Sequence, residues 1–520
     1  MTKLFRERLA GAGIENLLLA ALLVPLFALL CAEAVVSLHW RLVHDTPLLH
    51  YAAWQIAELG KVPYADVMET SMPGSFLLHI FIGRVFGWGD CAFQFANILW
   101  LSSLLALTWG ILARIDKRVA WGGIVLYGLT YLGNGPWMAL QRDGVAMLPI
   151  AAAVWMATSR WGQRRSASIF IGLAFGCAMS IKPHLGLGAP LVVMFPWKIA
   201  EGPLRAKLQP ALEGALLGAV GAIVPVAVCL IWVISMGAFG NFFEVVTEYL
   251  PLHIQLTGDH QSVAGAERLK HLVSGYRKLG GHALWLAPLF LAAQRSVDPQ
   301  WSRSSRSIGS LLVILAILYS VYPAFSGQFW DYHWMPFQYF AAIAAALMLA
   351  RQAPNATVMQ RVIPVILFAG FLFFHARPSP NFQAELAGAE VPAPKEGRVD
   401  EIARFLTENL RDGDTVQPLD WAGGAVHGML IARVPAAQRF IYDYHFFHHL
   451  DRPVIQRWRQ EFLTTFRTER PTYVIHFPGV RVSGLNTAPT WPDLEFELAE
   501  NYEIALAGDG YAILQLQARP

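Results

Sequence analysis

The sequence predicts a polytopic α-helical membrane protein that ends in a soluble α/β domain. Three observations carry this: a residue balance poor in charge, a series of apolar runs close to bilayer length, and an abrupt return to mixed polarity near residue 377. Charged residues make up only 15% of the 520 positions and hydrophobic ones 55%, with a mean hydropathy of +0.40. Soluble domains carry about 25% charged residues, so this balance belongs to the membrane class. Eighteen Trp and 31 Phe suit the aromatic belts of such proteins. The net charge of +3 is too small and too dispersed to indicate a nucleic-acid partner. Cys31, Cys91, Cys177 and Cys229 all fall in apolar stretches, where they are expected as small buried residues rather than as disulfides or zinc ligands.

Lys3, Arg6 and Arg8 precede an apolar run of about 20 residues, which is too long for a signal-peptide core and is read as a retained first helix. Further runs follow, giving about eleven in all: 17–38, 91–112, 119–139, 144–158, 167–183, 185–197, 211–236, 282–294, 307–325, 334–350 and 362–376. With the N-terminus cytoplasmic, every second loop is basic, as the positive-inside rule requires. These loops hold Arg114/Lys117/Arg118, Arg160/Arg164/Arg165, Lys198/Arg205/Lys207, Arg295/Arg303/Arg306 and Arg351/Arg361. The alternation needs "PGSFLLHIFIGRVFG" (73–87) to lie along the outer surface rather than span. Domain 1–376 is thus the transmembrane domain, with outer loops at about 39–90 and 237–281.

The Pro-rich stretch 377–397 reads as a linker. In 398–520, helical apolar spacing marks 398–414 and 454–469, while "YVIHF" (473–477) and "YAILQLQ" (511–517) read as strands. The topology places this domain on the outer, periplasmic side.

Ionisable groups near membrane depth are costly and therefore candidates for function. Here they gather on the outer side. Asp45 follows the first helix, "QRDG" (141–144) follows the third, "IKPHLG" (181–186) the fifth, and "FWDYHWMP" (329–336) precedes the tenth. An acceptor hydroxyl attacking a sugar carbon needs a general base, which an Asp supplies. A phosphate leaving group needs cations rather than a proton. One carboxylate with Lys, Arg and His therefore suits sugar transfer from a lipid phosphate.

The order of motifs resembles the GT-C glycosyltransferases, polytopic enzymes that use polyprenyl-phosphate-linked sugars. The likeness rests on "HD" (His44, Asp45) after the first helix, Tyr51 followed by "PYAD" (63–66), and the Pro-containing stretch 72–87. "RDG" (142–144), "YHWMP" (332–336) and "RPTYVIHF" (470–477) complete it. In layout it covers the whole chain, and its motifs concentrate in 40–90. The resemblance implies a GT-C-like fold in a bacterial inner membrane, an inverting mechanism, and Asp45 as catalytic base. It lies nearer the lipid-linked-sugar branch than oligosaccharyltransferase, whose "WWDYG"-like signature is missing.

Substrate-binding candidates are His44, Asp66, Arg142, Asp143, Lys182, His184, Arg268, Lys270, Asp331 and His333. Each has a second account. Asp66 follows Pro63-Tyr64 and suits a turn. Arg142 and Asp143 are adjacent and cannot face each other on a helix, so each needs a partner elsewhere. Lys182 beside Pro183 can snorkel, Arg268 and Lys270 can meet lipid headgroups, and Asp331 and His333 lie between the interfacial Trp330 and Trp334. His445 and His449 have i, i+4 spacing, which on a soluble domain is more often not a metal site. No cofactor is implied, although convergence of Asp45 with Asp66 or Asp143 would suit a divalent ion. The expected partners are a polyprenyl-phosphate sugar donor, a glycan or lipid-linked acceptor and the bilayer. A flippase for a lipid-linked saccharide and a glycan polymerase or ligase are the alternatives.

Overall fold

The computed structural model describes residues 2–199, 204–255, 262–277, 282–353, 355–478 and 490–518. Parts of the second outer loop (256–261 and 278–281) lie outside these residues. The chain divides into two compact units: Met1–Trp40, Gln94–Val228 and Gly265–Ala389 in the first, and Arg41–Phe93, Cys229–Ala264 and Glu390–Pro520 in the second.

The first unit is a helical bundle. All eleven apolar runs contain a helix, and among the described residues five segments are long and apolar enough to cross a membrane: Gly13–His39, Asp90–Leu112, Leu208–Ser235, Arg303–Phe325 and Val358–His375. Most of the remaining helices are shorter than their runs, and turn residues set where several of them start or stop. Lys117–Gly133 stops before Gly135 (φ +72°) and Pro136. Arg165–Ile181 stops at Lys182, which is extended (φ −155°, ψ 113°) because a residue before proline is driven out of the α region. Met335–Ala345 begins after a 3-10 turn, Asp331–Trp334, with Pro336 in its first turn.

Packing between two of these helices is backbone to backbone. A Cβ on Gly172 would lie 1.9 Å from the Gly218 carbonyl oxygen, and one on Gly176 2.3 Å from that of Ala222. Small residues at such contacts let apolar helices associate through dispersion alone. Gly172→Leu is therefore expected to lower the unfolding free energy in detergent by about 1–3 kcal/mol. Gly370→Leu, where an added side chain meets nothing within 4 Å, is the control and should leave the melting temperature unchanged.

Two cysteines depart from expectation. Cys31 and Cys91 are exposed, and only Cys229 is buried. Cys31 and Cys91 ride on outward faces of apolar helices, where an apolar residue needs no protein cover if lipid surrounds it.

In the second unit, helices Thr46–Leu59 and Pro73–Phe86 pack together. The latter is a helix over the stretch expected at the outer surface, and its Arg84 donates to the Ala57 carbonyl and lies 3.7 Å from Glu58. The four-stranded sheet runs β1 (Val416–Leu419), β2 (Tyr473–His476), β4 (Tyr511–Leu516), β3 (Tyr502–Gly508). β1 and β2 are parallel and the other pairs antiparallel. Helices Arg398–Asn409 and Pro453–Glu469 stand close to the predicted bounds. The sequence reading did not anticipate β1 or β3. Pro418 argues against a strand, but β1 is an edge, where proline is tolerated. Behind the sheet, Phe440, Phe446, Phe462 and Trp491 form an aromatic core, with Phe446 4.9 Å from both Phe440 and Trp491.

Candidate functional site

In the first unit the polar cluster is built by chain breaks. Pro183 ends a helix and leaves Lys182 at its tip. Leu140 takes a left-handed turn (φ 47°), its N–H donating to the Tyr131 hydroxyl at 3.1 Å, and the short helix Arg142–Val145 follows. The turn carries Asp143 inward, where it is fully buried. Lys182 Nζ donates to both of its carboxylate oxygens, at 3.0 and 3.1 Å, and the Tyr322 hydroxyl donates to Oδ1. The ammonium also lies 5.5 Å from the Tyr322 ring centre and 5.8 Å from that of Tyr332, a distance at which cation–π attraction acts.

Burial pushes the Asp143 carboxyl up. The Lys182 charge and the hydrogen bonds from Tyr322 and Lys182 outweigh it, so the group sits below the ordinary carboxylate range. His333 is buried, with Nδ1 against the Gln328 carbonyl and its ring 4.5 Å from Tyr332. Burial, followed by the Lys182 charge, lowers its pKa to about 3. Burial and then Lys182 also lower that of His184. Arg142 is half-buried, and its charge reaches Tyr322 and His333. With His333 neutral at pH 7, Asp143, Lys182 and Arg142 together leave one positive charge in excess.

This cluster has a consequence for acid stability. A histidine whose folded pKa lies below its unfolded value of about 6.5 favours unfolding once the unfolded chain binds the proton. Stability is therefore complete above pH 6.5 and falls progressively as pH drops toward 3. The expected result is a falling melting temperature below pH 6.5, with a shallower fall in His333→Gln.

The other candidates in this unit are placed differently. Arg268 Nη1 donates to the carbonyls of Ala324 (3.1 Å) and Phe325 (3.2 Å), and the His184 ring stacks on Phe325 at 6.2 Å. Lys270 is exposed and pairs with Glu267 at 3.2 Å. Asp331 is exposed at the start of its 3-10 turn. Arg142, Asp143, Lys182 and His333 thus converge, with His184 beside them. Tyr322 was missed, and its only sequence signal is the "YP" (322–323) that ends an apolar run.

In the second unit, His44 is left-handed (φ 61°) and turns the chain so that Asp45 stands at the N-cap of helix Thr46–Leu59. The Asp45 side chain makes no capping hydrogen bond; its Oδ1 lies 3.0 Å from His44 Nδ1. Burial, and then the charge of Asp45, push the Tyr444 phenol upward, which puts Tyr444 within electrostatic reach of Asp45. Asp66 is exposed and closes a turn, accepting from the Val62 N–H at 2.8 Å. Glu69, which the sequence reading passed over, is buried and accepts from Ser71 Oγ (2.8 Å) and the Tyr442 hydroxyl (3.0 Å).

The histidine pair does not share a helix face. Tyr444–Phe447 is a 3-10 turn and His449 is left-handed (φ 51°). His445 Nδ1 meets the Tyr249 hydroxyl at 2.7 Å, and His449 Nε2 meets the Leu252 carbonyl at 3.1 Å. Among the described residues no group of three or more His, Cys, Asp or Glu is arranged to hold a metal ion.

Apolar helices broken at polar turns, an Asp-bearing loop after the first of them, and a C-terminal α/β segment make up a fold that the chain shares with solved structures. Among solved structures it is similar to ArnT from Cupriavidus metallidurans. The apo structure has a TM-score of 0.60 and 14% identity, covering 94% of this chain and 97% of that one. The structure bound to undecaprenyl phosphate has a TM-score of 0.58 and 13% identity, covering 95% and 98%. No protein-family model matches the sequence, and no curated protein does.

Proposed function

We propose that the protein is an inner-membrane glycosyltransferase that moves one sugar from a polyprenyl-phosphate donor to a periplasmic or lipid-linked glycan acceptor. The observation that carries the reading is the buried Asp143–Lys182–Tyr322 cluster with Arg142, a net cationic site at the tips of apolar helices. A lipid phosphate is an anion delivered at that depth, and Lys182 and Arg142 suit its charge. The undecaprenyl phosphate bound to the structurally similar ArnT supports the same donor class.

In this reading Asp45 removes the proton from the acceptor hydroxyl. The acceptor oxygen forms its bond to the anomeric carbon as the bond from that carbon to the phosphate oxygen breaks. The phosphate leaves with the electron pair, giving inversion, and Lys182 and Arg142 steady it, with the neutral His333 held beside them by its bond to Gln328. Asp143 holds Lys182 in place, and Arg268 orders the chain next to His184. Asp66 shapes the Asp45-bearing loop. Lys270 and Asp331 are assigned outer contacts with the donor headgroup. The N-terminus is cytoplasmic and the C-terminal segment periplasmic.

The test is transfer of labelled sugar from a panel of synthetic polyprenyl-phosphate sugars by the purified chain. Transfer from one donor supports the reading. Donor binding without transfer, together with movement of a lipid-linked saccharide across vesicles, would replace it with a flippase.

A further inference from the structure

Two tyrosines bracket the end of helix Arg303–Ser320. Tyr322, just beyond it, donates to Asp143. Tyr319, inside it, is fully buried, and its hydroxyl bonds to backbone twice. It donates to the Leu185 carbonyl at 2.8 Å and accepts from the Gly188 N–H at 3.3 Å. Both partners belong to the 3-10 turn Pro183–Gly188, which starts from Lys182.

That turn is weakly held by its own backbone. Runs of 3-10 helix rarely exceed about 4 residues, because their hydrogen bonds are poorly aligned, and this one has 6. Its Pro183 also brings no N–H. Backbone groups freed where a helix breaks at membrane depth must be satisfied by neighbouring segments. Tyr319 supplies a donor and an acceptor at one point. The approach is close enough to need glycine, since a Cβ on Gly188 would stand 2.9 Å from the Tyr319 hydroxyl oxygen. The phenol is itself fixed, stacked on Phe340 with ring centres 5.4 Å apart and planes 6° from parallel.

One further hydrogen bond carries the constraint to Lys182. The Leu185 N–H donates to the Lys182 carbonyl at 3.0 Å. Leu185 is thus held by Tyr319 through its C=O and holds Lys182 through its N–H. A lysine is a point charge on a flexible stem, so the place its ammonium can reach depends on where its backbone is fixed.

We propose that Tyr319 is a positioning residue for the lipid-linked donor. By pinning the turn 183–188 it sets the Lys182 backbone so that the ammonium reaches the donor phosphate while paired with Asp143. The proposal rests on the reading of Lys182 as the phosphate contact.

The experiment measures the affinity of the purified full-length chain for a short-chain polyprenyl phosphate carrying no sugar, by titration calorimetry in detergent below the melting temperature of every variant. Tyr319→Phe should weaken binding about tenfold, the size of one hydrogen bond. Tyr339→Phe is the structural control. Its buried hydroxyl meets Thr108 Oγ1 at 2.9 Å, so its loss should lower the melting temperature to a similar degree and leave binding unchanged. Added to the Lys182→Met/Asp143→Asn double variant, Tyr319→Phe should weaken binding no further, because residues that act through one contact are not additive. Normal binding by Tyr319→Phe, an equal loss in Tyr339→Phe, or a second tenfold loss in the double variant would each overturn the proposal while leaving the donor reading in place. Binding that depends on Tyr319, with no sugar transfer by the wild type from any donor, would remove the glycosyltransferase reading and leave the positioning role standing. A wild-type chain that binds no polyprenyl phosphate would overturn both.

Discussion

Asp45→Asn is expected to slow sugar transfer by about 10²–10⁴-fold, the range of a lost general base, with donor affinity unchanged. The substitution is close to isosteric and keeps an oxygen facing His44. The Asp45 side chain does not cap its helix, so losing its charge removes no cap, and the loss of its interaction with the helix dipole amounts to about 0.3–1 kcal/mol. The loss should therefore appear in kcat and leave the melting temperature nearly unchanged. Asp66→Asn is the matched control. Its side-chain oxygen can still accept from Val62, and transfer should continue. Wild-type transfer by Asp45→Asn would reduce Asp45 to an ordinary carboxylate at a helix end.

Lys182→Met is expected to destabilise the protein by about 3–5 kcal/mol. It leaves Asp143 as a fully buried carboxylate without its cation. The Tyr322 hydroxyl remains, but a neutral donor does not replace a charge. Adding Asp143→Asn should recover most of the loss, because a pair of neutral groups has no unpaired charge to desolvate. Donor binding should stay weak in both variants if Lys182 meets the phosphate. A double variant that is stable and binds donor like the wild type would confine the pair to a structural role. The two measurements, melting temperature and donor affinity, thus separate the two uses of one lysine.

The positions of charged groups were more legible than their partners. Pro183 announces that the helix stops at Lys182, and the adjacency of Arg142 and Asp143 announces that each must look elsewhere. That Asp143 looks to Lys182, 39 residues on, is a fact of packing that periodicity does not contain. Tyr322 was hidden for the same reason, since it sits in an apolar run and declares its role only through Asp143. The helices within the apolar runs were visible because such runs report burial or lipid contact directly. Their ends were not, because left-handed residues such as Leu140 and His44 have side chains with no special preference for a turn. The i, i+4 spacing of His445 and His449 gives no shared face, because the backbone there is not a helix.

Lys395 and Glu396 are consecutive non-glycine residues in the left-handed region (φ 53° and 59°), a conformation that glycine and asparagine adopt more readily. Random change at position 395 is therefore biased toward variants that fold better, and a thermostability screen of this protein would be expected to return Lys395→Gly and Lys395→Asn early.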